Sequence, residues 1–142
     1  MKVTELMIGD WVLHFNKPCK VLGIKDIHRG HDAILLFGQD GFRRTGIKPI
    51  PLTPEILEKN GWINKEEKGW MQKGNFGDSP LMLWYIKDTG KFDPHFAHEL
   101  EMSDLSKDGG FRIKVQCNYV HELQRALRCC GLWDLAENFK IN

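Results

Sequence analysis

Six histidines and four cysteines are the residues with the broadest chemistry in this 142-residue chain. His28 and His31 stand three apart, and His95 and His98 do the same beside Glu99 and Glu101. Imidazole nitrogens and carboxylate oxygens in that combination are the ligands of a mixed metal site. The local pattern argues against one. His95-Phe96-Ala97-His98-Glu99 follows neither the helical zinc-protease order nor its inverse, and Pro94, following a turn, favours extended backbone. On a strand, residues three apart point to opposite faces.

The thiols make no stronger case. Cys19, Cys117, Cys129 and Cys130 lack the regular spacing of a disulfide framework, and adjacent cysteines rarely bridge each other. A redox pair needs two intervening residues and a helix N-terminus to stabilise the thiolate. Cys129 and Cys130 instead fall at the C-terminal end of an expected helix, where the dipole disfavours an anion. Cys130 lies on the apolar stripe of that helix and Cys129 on its flank. The chain holds neither a Gly-x-Ser-x-Gly elbow nor a Gly-x-x-x-x-Gly-Lys phosphate loop, and Gly38-Gln39-Asp40-Gly41 lacks the lysine and following helix of the latter. The expectation is a protein without catalytic residues, metal ligands or cofactor, suited to a reducing compartment.

Binding is the chemistry that remains. Two groups of cations could contact phosphates: Arg43 and Arg44 in the first third of the chain, and Arg112 and Lys114 together with Arg125, Arg128 and His121 near its end. Trp70, Trp84 and Tyr85 could stack on bases beside them. The plainer account is that alternating Arg and Lys on a strand, and basic residues three and four apart on a helix, are ordinary solvated faces, with Glu122 pairing locally to Arg125. Lys and Arg total 20 against 19 Asp and Glu, so any basic site must be local. Five tryptophans are more than a chain of this size needs, and Trp70, within a Lys-rich segment, is the expected exposed anchor for a protein partner.

The elements that must position these residues are marked clearly in places. Thr53 can cap a helix opened by Pro54 and stopped at Asn60-Gly61, which divides the chain in two. Before it, Trp11 to Phe15 and Cys19 to Ile24 read as strands joined by a turn at Asn16-Lys17-Pro18, with Ala33 to Phe37 a third strand and Ile47 to Ile50 a fourth. Short strands at that spacing suit a small, curved, barrel-like module over residues 1–50. After it, residues 63–80 read as an exposed loop interrupted by a short strand near Trp70-Met71, and Leu81 to Ile86 as a central strand. Asp88 to Lys91 then turns the chain back through Phe92 to Leu100. Following a loop from Ser103 to Gly110, Phe111, Ile113, Val115 and Cys117 alternate with polar residues as on a half-buried strand. Asn118 caps an amphipathic helix reaching Cys130 and stopped by Gly131, with Val120, Leu123, Ala126 and Leu127 inward and His121, Arg125 and Arg128 on the opposite side. Trp133 to Phe139 adds a last helical turn. The fold class is α+β, with residues 51–142 forming an antiparallel sheet between a short helix and an amphipathic one.

A chain of this length buries a core without staples, and the absence of a leader or a long apolar run leads to the expectation of a cytoplasmic protein with no membrane contact.

Three segments carry a resemblance: Glu5-Leu6-Met7-Ile8-Gly9-Asp10-Trp11-Val12, then Pro49 to Trp62, then Tyr119-Val120-His121-Glu122-Leu123-Gln124-Arg125-Ala126-Leu127. Their order across nearly the whole chain resembles small uncharacterised proteins of phages, prophages and mobile elements of Bacteroides-type gut bacteria. The resemblance implies a genomic setting and no reaction, and its matched residues read as fold markers. Arg128-Cys129-Cys130-Gly131 departs from the group's looser pattern, so a role for those thiols would be peculiar to this chain. The expected function is therefore a non-enzymatic interaction or accessory protein of such an element, binding a host or element-encoded protein. The alternative is a nucleic-acid-binding accessory protein using the Arg and Lys patches.

Overall fold

The computed structural model describes residues 5–25, 33–66, 68–72, 81–85, 98–103 and 112–142, the side chains of Tyr85, of 98–103 and of 112–114 excepted. His28, His31, His95 and the expected turn at Asp88 to Lys91 lie outside the described residues.

The first sheet contains β1 (Trp11–His14), β2 (Lys17–Lys25), β3 (Ala33–Leu36), β4 (Phe42–Arg43) and β5 (Ile47–Lys48) in the order β4-β3-β2-β1-β5. All its pairings are antiparallel, and β5 returns to the free edge of β1. The sheet is not closed into a barrel. Phe15 and Asn16 both take positive φ, 46° and 66°, which makes a two-residue hairpin loop and draws Lys17 and Pro18 into β2 rather than the turn. Asn tolerates that conformation, so the turn forms one residue earlier than Pro18 suggested. A register shift between Val21 and Gly23 bends β2 against β3.

The second sheet is a simple antiparallel meander, β10-β9-β8-β7-β6. Its strands are β6 (Trp62–Asn64), β7 (Gly69–Gln72), β8 (Leu81–Tyr85), β9 (His98–Ser103) and β10 (Arg112–Cys117). Of the residues expected as a loop from 63 onward, Ile63 and Asn64 belong to β6, and the short strand expected near Trp70-Met71 is β7, one residue longer at each end; Trp62 and Trp70 are both core side chains. Helix α1 (Pro54–Lys59) precedes this sheet, while α2 (Val120–Cys129) and α3 (Trp133–Glu137) follow it. The described residues include no helix long and apolar enough to cross a membrane.

The helix ends show what was and was not visible in sequence. Thr53 Oγ1 accepts from Ile56 N at 3.3 Å, Pro54 opens α1, and Gly61 follows it at φ 82°. For α2 the cap is Tyr119, one residue later than expected and without a side-chain cap bond. Asn118 instead precedes the cap, in a bend after β10. Its carbonyl accepts from Leu52 N, Val120 N donates to Ile50 O, and Pro51 bridges to Tyr119.

Two apolar clusters fill the molecule. Leu6, Val12, Val21, Ile34 and Leu36 lie under the first sheet. The larger cluster gathers α1, the second sheet, α2, Ala136 of α3 and the tail residues Phe139 and Ile141. Strand β1 serves both: Val12 points into the first cluster, while Trp11 and Leu13, on the other face of the pleat, pack against the second.

Candidate binding surface

Of the residues singled out in sequence, Trp70 is placed least as expected. It is 1% exposed, paired in register with Leu83 and Asn64, and is among the largest fully buried side chains. Alternation along β7 puts Trp70 and Gln72 on the inner face, so the indole cannot anchor a partner. Arg128 is also inside, its side chain 2% exposed, and His121 is 3% exposed. The helix therefore buries a broader arc than its apolar stripe, because the N-terminal segment covers the side on which His121 and Arg128 stand. Only Arg125 of that basic group is exposed. Arg112 and Lys114 lie on β10, where register sets Glu101 opposite Lys114 and Ser103 opposite Arg112. His98, Glu99 and Glu101 are on β9, and the described residues contain no cluster of three or more His, Cys, Asp or Glu fit to hold a metal ion.

The polar residues inside form one connected clasp. Asp10 Oδ1 accepts from Arg128 Nη1 at 2.5 Å, Asp10 Oδ2 accepts from Met7 N at 2.8 Å, and Arg128 Nε donates to Glu137 Oε1 at 3.0 Å. Gln124, fully buried, accepts from Trp11 N at 3.0 Å and donates to Gly9 O at 3.1 Å and Ala136 O at 2.9 Å. Trp11 Nε1 donates to Phe139 O, and Lys20 Nζ to Glu137 O. Gly9 sits at φ 96° where a Cβ would lie 2.6 Å from Glu137 Oε2, so both its conformation and its surroundings require glycine. Burial raises the Asp10 pKa, and the Arg128 hydrogen bond opposes that in part; burial lowers the pKa of His121. Asp10, Gln124 and the Arg128 Nε and Nη1 groups are bonded within the clasp, whereas Arg128 Nη2 and His121 Nδ1 have no hydrogen-bond partner among the described residues. The clasp fastens the first sheet to α2 and α3.

Outside, the first sheet presents a different surface. Along β3, Ile34 and Leu36 point into the core, while Leu35 and then Phe37 turn outward. Phe37 stays in line with the sheet because its N–H donates to Lys20 O. Leu35 pairs with Phe42 on β4 and with Gly23 on β2, where there is no side chain to cover the ring. Phe37 is 69% exposed and Phe42 45%. Lys25 Nζ stands 5.6 Å from the Phe42 ring centroid, within cation–π range. A cleft of about 270 Å³ between Phe37, Trp11, Pro18, Cys19, Lys20 and Asn142 continues the face toward the C-terminal tail.

The cations of this sheet are divided between its faces: Arg43 pairs in register with buried Ile34, and Lys17 with His14, on the core side, whereas Lys25 stands with Phe42. Residues 11–25 and 33–48 carry Lys17, Lys20, Lys25, Arg43, Arg44 and Lys48 against the single carboxylate of Asp40. Arg43 and Arg44 are exposed, with Arg43 Nε donating to Gln39 Oε1 at 3.1 Å. Sequence reading found the arginine pair but not Phe37 and Phe42. The signal available for them was Leu35-Leu36-Phe37, an unbroken apolar run on a strand with only one face buried.

Comparison with family models, with curated proteins and with solved structures yields no match.

Proposed function

We propose that this chain is a non-enzymatic binding protein whose working surface is the β3–β4 part of the first sheet's outer face, beyond the β1 part that Trp11 and Leu13 pack against the second cluster. The observation that carries this is the exposure of Phe37 and Phe42 on one face of a packed sheet, with Lys25 Nζ 5.6 Å from the Phe42 ring centroid. Contiguous exposed apolar surface ringed by polar groups marks interaction sites on soluble domains. The described polar groups with the strongest chemistry, Asp10, Gln124 and Arg128, are by contrast buried in hydrogen bonds that hold the fold. An accessory protein of a phage or mobile element is the setting that the sequence resemblance supports for such a module.

The test is affinity capture from a bacterial lysate, with and without nuclease, comparing the unaltered chain with a Phe37→Ser/Phe42→Ser variant and with Trp133→Ser. Trp133 is a control because it is 52% exposed and lies on α3, its ring 6.0 Å from the Arg128 guanidinium. Partners lost in the sheet variant and retained in the Trp133 variant support this surface. The reverse pattern rejects it.

A further inference from the structure

From Phe37 to Thr45 only Gln39 is not exposed, and its amide ties this segment to the core side of the first sheet. Gln39 Nε2 lies 2.9 Å from His14 Nδ1 and donates to Cys19 Sγ at 3.8 Å, while Gln39 Oε1 accepts from Arg43 Nε at 3.1 Å. Strand register gathers the partners on one face: Cys19 pairs with buried Val12, two residues from His14 on β1, and Arg43 pairs with buried Ile34. A guanidinium only donates, so Arg43 fixes the amide with its oxygen outward and its NH2 toward His14. Nδ1 is then the acceptor. His14 is therefore the neutral imidazole with its proton on Nε2, which is buried without a hydrogen-bond partner among the described residues.

Resting on the β3–β4 face as the binding surface, we propose that His14 is an acid sensor of that surface: on protonation it takes the Gln39 oxygen from Arg43 and loosens the β4 edge. A proton from solvent adds to the Nδ1 lone pair and turns that nitrogen into a donor facing another donor. The Gln39 amide has one oxygen, and two cations then compete for it. His14 is 8% exposed, so a charge-assisted bond to its ring outweighs one to the exposed Arg43 guanidinium, which water solvates in its place. The amide turns over and Arg43 is released. Strand β4 is two residues long, lies at the sheet edge and carries Phe42 on its other face. The turn before it has little else to hold it, since Gly38 and Gly41, at φ 78° and 76°, have open space where a Cβ would stand. The charged and titratable groups around His14 are Lys17, in register with it on β2, the Cys19 thiol, Arg43, and the exposed Asp40 beside Gln39, while β5 sets Ile47 opposite. Because the held state leaves Nδ1 unprotonated and the released state protonates it, falling pH shifts the population toward release.

The experiment is nitrogen-15 NMR of the full chain between about pH 7.5 and about pH 5.5, the range in which histidine changes charge, following the His14 ring nitrogens, the Arg43 Nε–H and the amides of β4. The neutral ring should be the Nε2–H tautomer. On acidification the Arg43 Nε–H should lose about fivefold in protection from exchange, after correction for the intrinsic rate, which is the scale of one net hydrogen bond. The Phe42 and Arg43 amides should lose protection with it. His14→Phe removes the sensor and should abolish the response, whereas His121→Asn should leave it in place. Gln39→Glu offers an oxygen to each cation and should hold Arg43 at both ends of the range, a rescue that a merely structural tie does not require. An Nδ1–H tautomer in the neutral ring, Arg43 protection that does not change with pH, or the same loss in His14→Phe would overturn the assignment. If Arg43 responds as described but lysate capture does not depend on Phe37 and Phe42, the sensor stands and the binding surface falls. If capture depends on those rings and Arg43 does not respond, the sensor falls and the surface stands.

Discussion

Asp10 and Arg128, 118 residues apart in sequence, meet at 2.5 Å with both side chains shut away from water. Such a pair does not add much stability relative to a well-packed apolar substitute, but breaking one side leaves an uncompensated buried charge. Arg128→Met should therefore destabilise the fold by about 3–5 kcal/mol, read as a lowered midpoint in urea unfolding at constant slope. Asp10→Asn should cost less, because Arg128 keeps Glu137. The double variant should lose less than the sum of the two singles, because the two residues act through one contact. Strict additivity would show that they are not coupled.

Gln124 joins three backbone groups, Trp11 N, Gly9 O and Ala136 O, from the N-terminal segment and α3. Gln124→Leu retains the approximate volume and removes every one of those bonds, leaving buried backbone groups unpaired at about 1–3 kcal/mol each. The expected outcome is a loss of several kcal/mol and, in hydrogen exchange, selective loss of protection at the Trp11 amide. Uniform loss across the second sheet, with Trp11 no more affected than the rest, would contradict the clasp.

His121 should make the protein acid-sensitive. Burial holds its pKa below the usual 6.5, with the Asp10 charge opposing in part, so between its folded pKa and 6.5 the unfolded chain binds more protons than the native one. Stability then falls as pH drops through 6.5, and the full penalty is reached below the folded pKa. His121→Asn, which cannot titrate, should flatten that part of the profile in urea midpoints measured from pH 5 to 8. A wild-type profile that rises on acidification across this window, or an unchanged slope in the variant, would refute the role given to His121.

Local chemistry was legible in the sequence and long-range chemistry was not. Thr53, Pro54 and Gly61 act within a few residues of themselves, and their roles follow from capping rules alone. The apolar stripe of α2 was visible for the same reason, as was the alternation of Val115, Gln116 and Cys117 at the end of β10. Arg128 and His121 were expected on a wet helix face because helical periodicity knows nothing of a covering segment 118 residues away. The three segments that carry the phage-protein resemblance turn out to meet. Gly9 and Trp11 bond to Gln124, and Ile50 and Leu52 pair with Val120 and Asn118, which gives their reading as fold markers a physical basis.

Trp70 and Phe37 should respond oppositely to truncation, and the contrast tests which of them belongs to the surface. Trp70 is enclosed by the second sheet and its helices, so Trp70→Ala leaves a large cavity and should cost about 3–5 kcal/mol. Its indole fluorescence should already be that of a shielded ring, inaccessible to an added quencher in the native state. Phe37 is 69% exposed, and Phe37→Ser should leave stability within about 0.5 kcal/mol, as surface substitutions usually do. A sequence places both in strands rich in large side chains and cannot say which face each one takes, because that depends on which side of the sheet the rest of the chain comes to cover. If Phe37→Ser proved as destabilising as Trp70→Ala, its ring would be part of the packed core and the outward row on β3 would have to be abandoned as a binding surface.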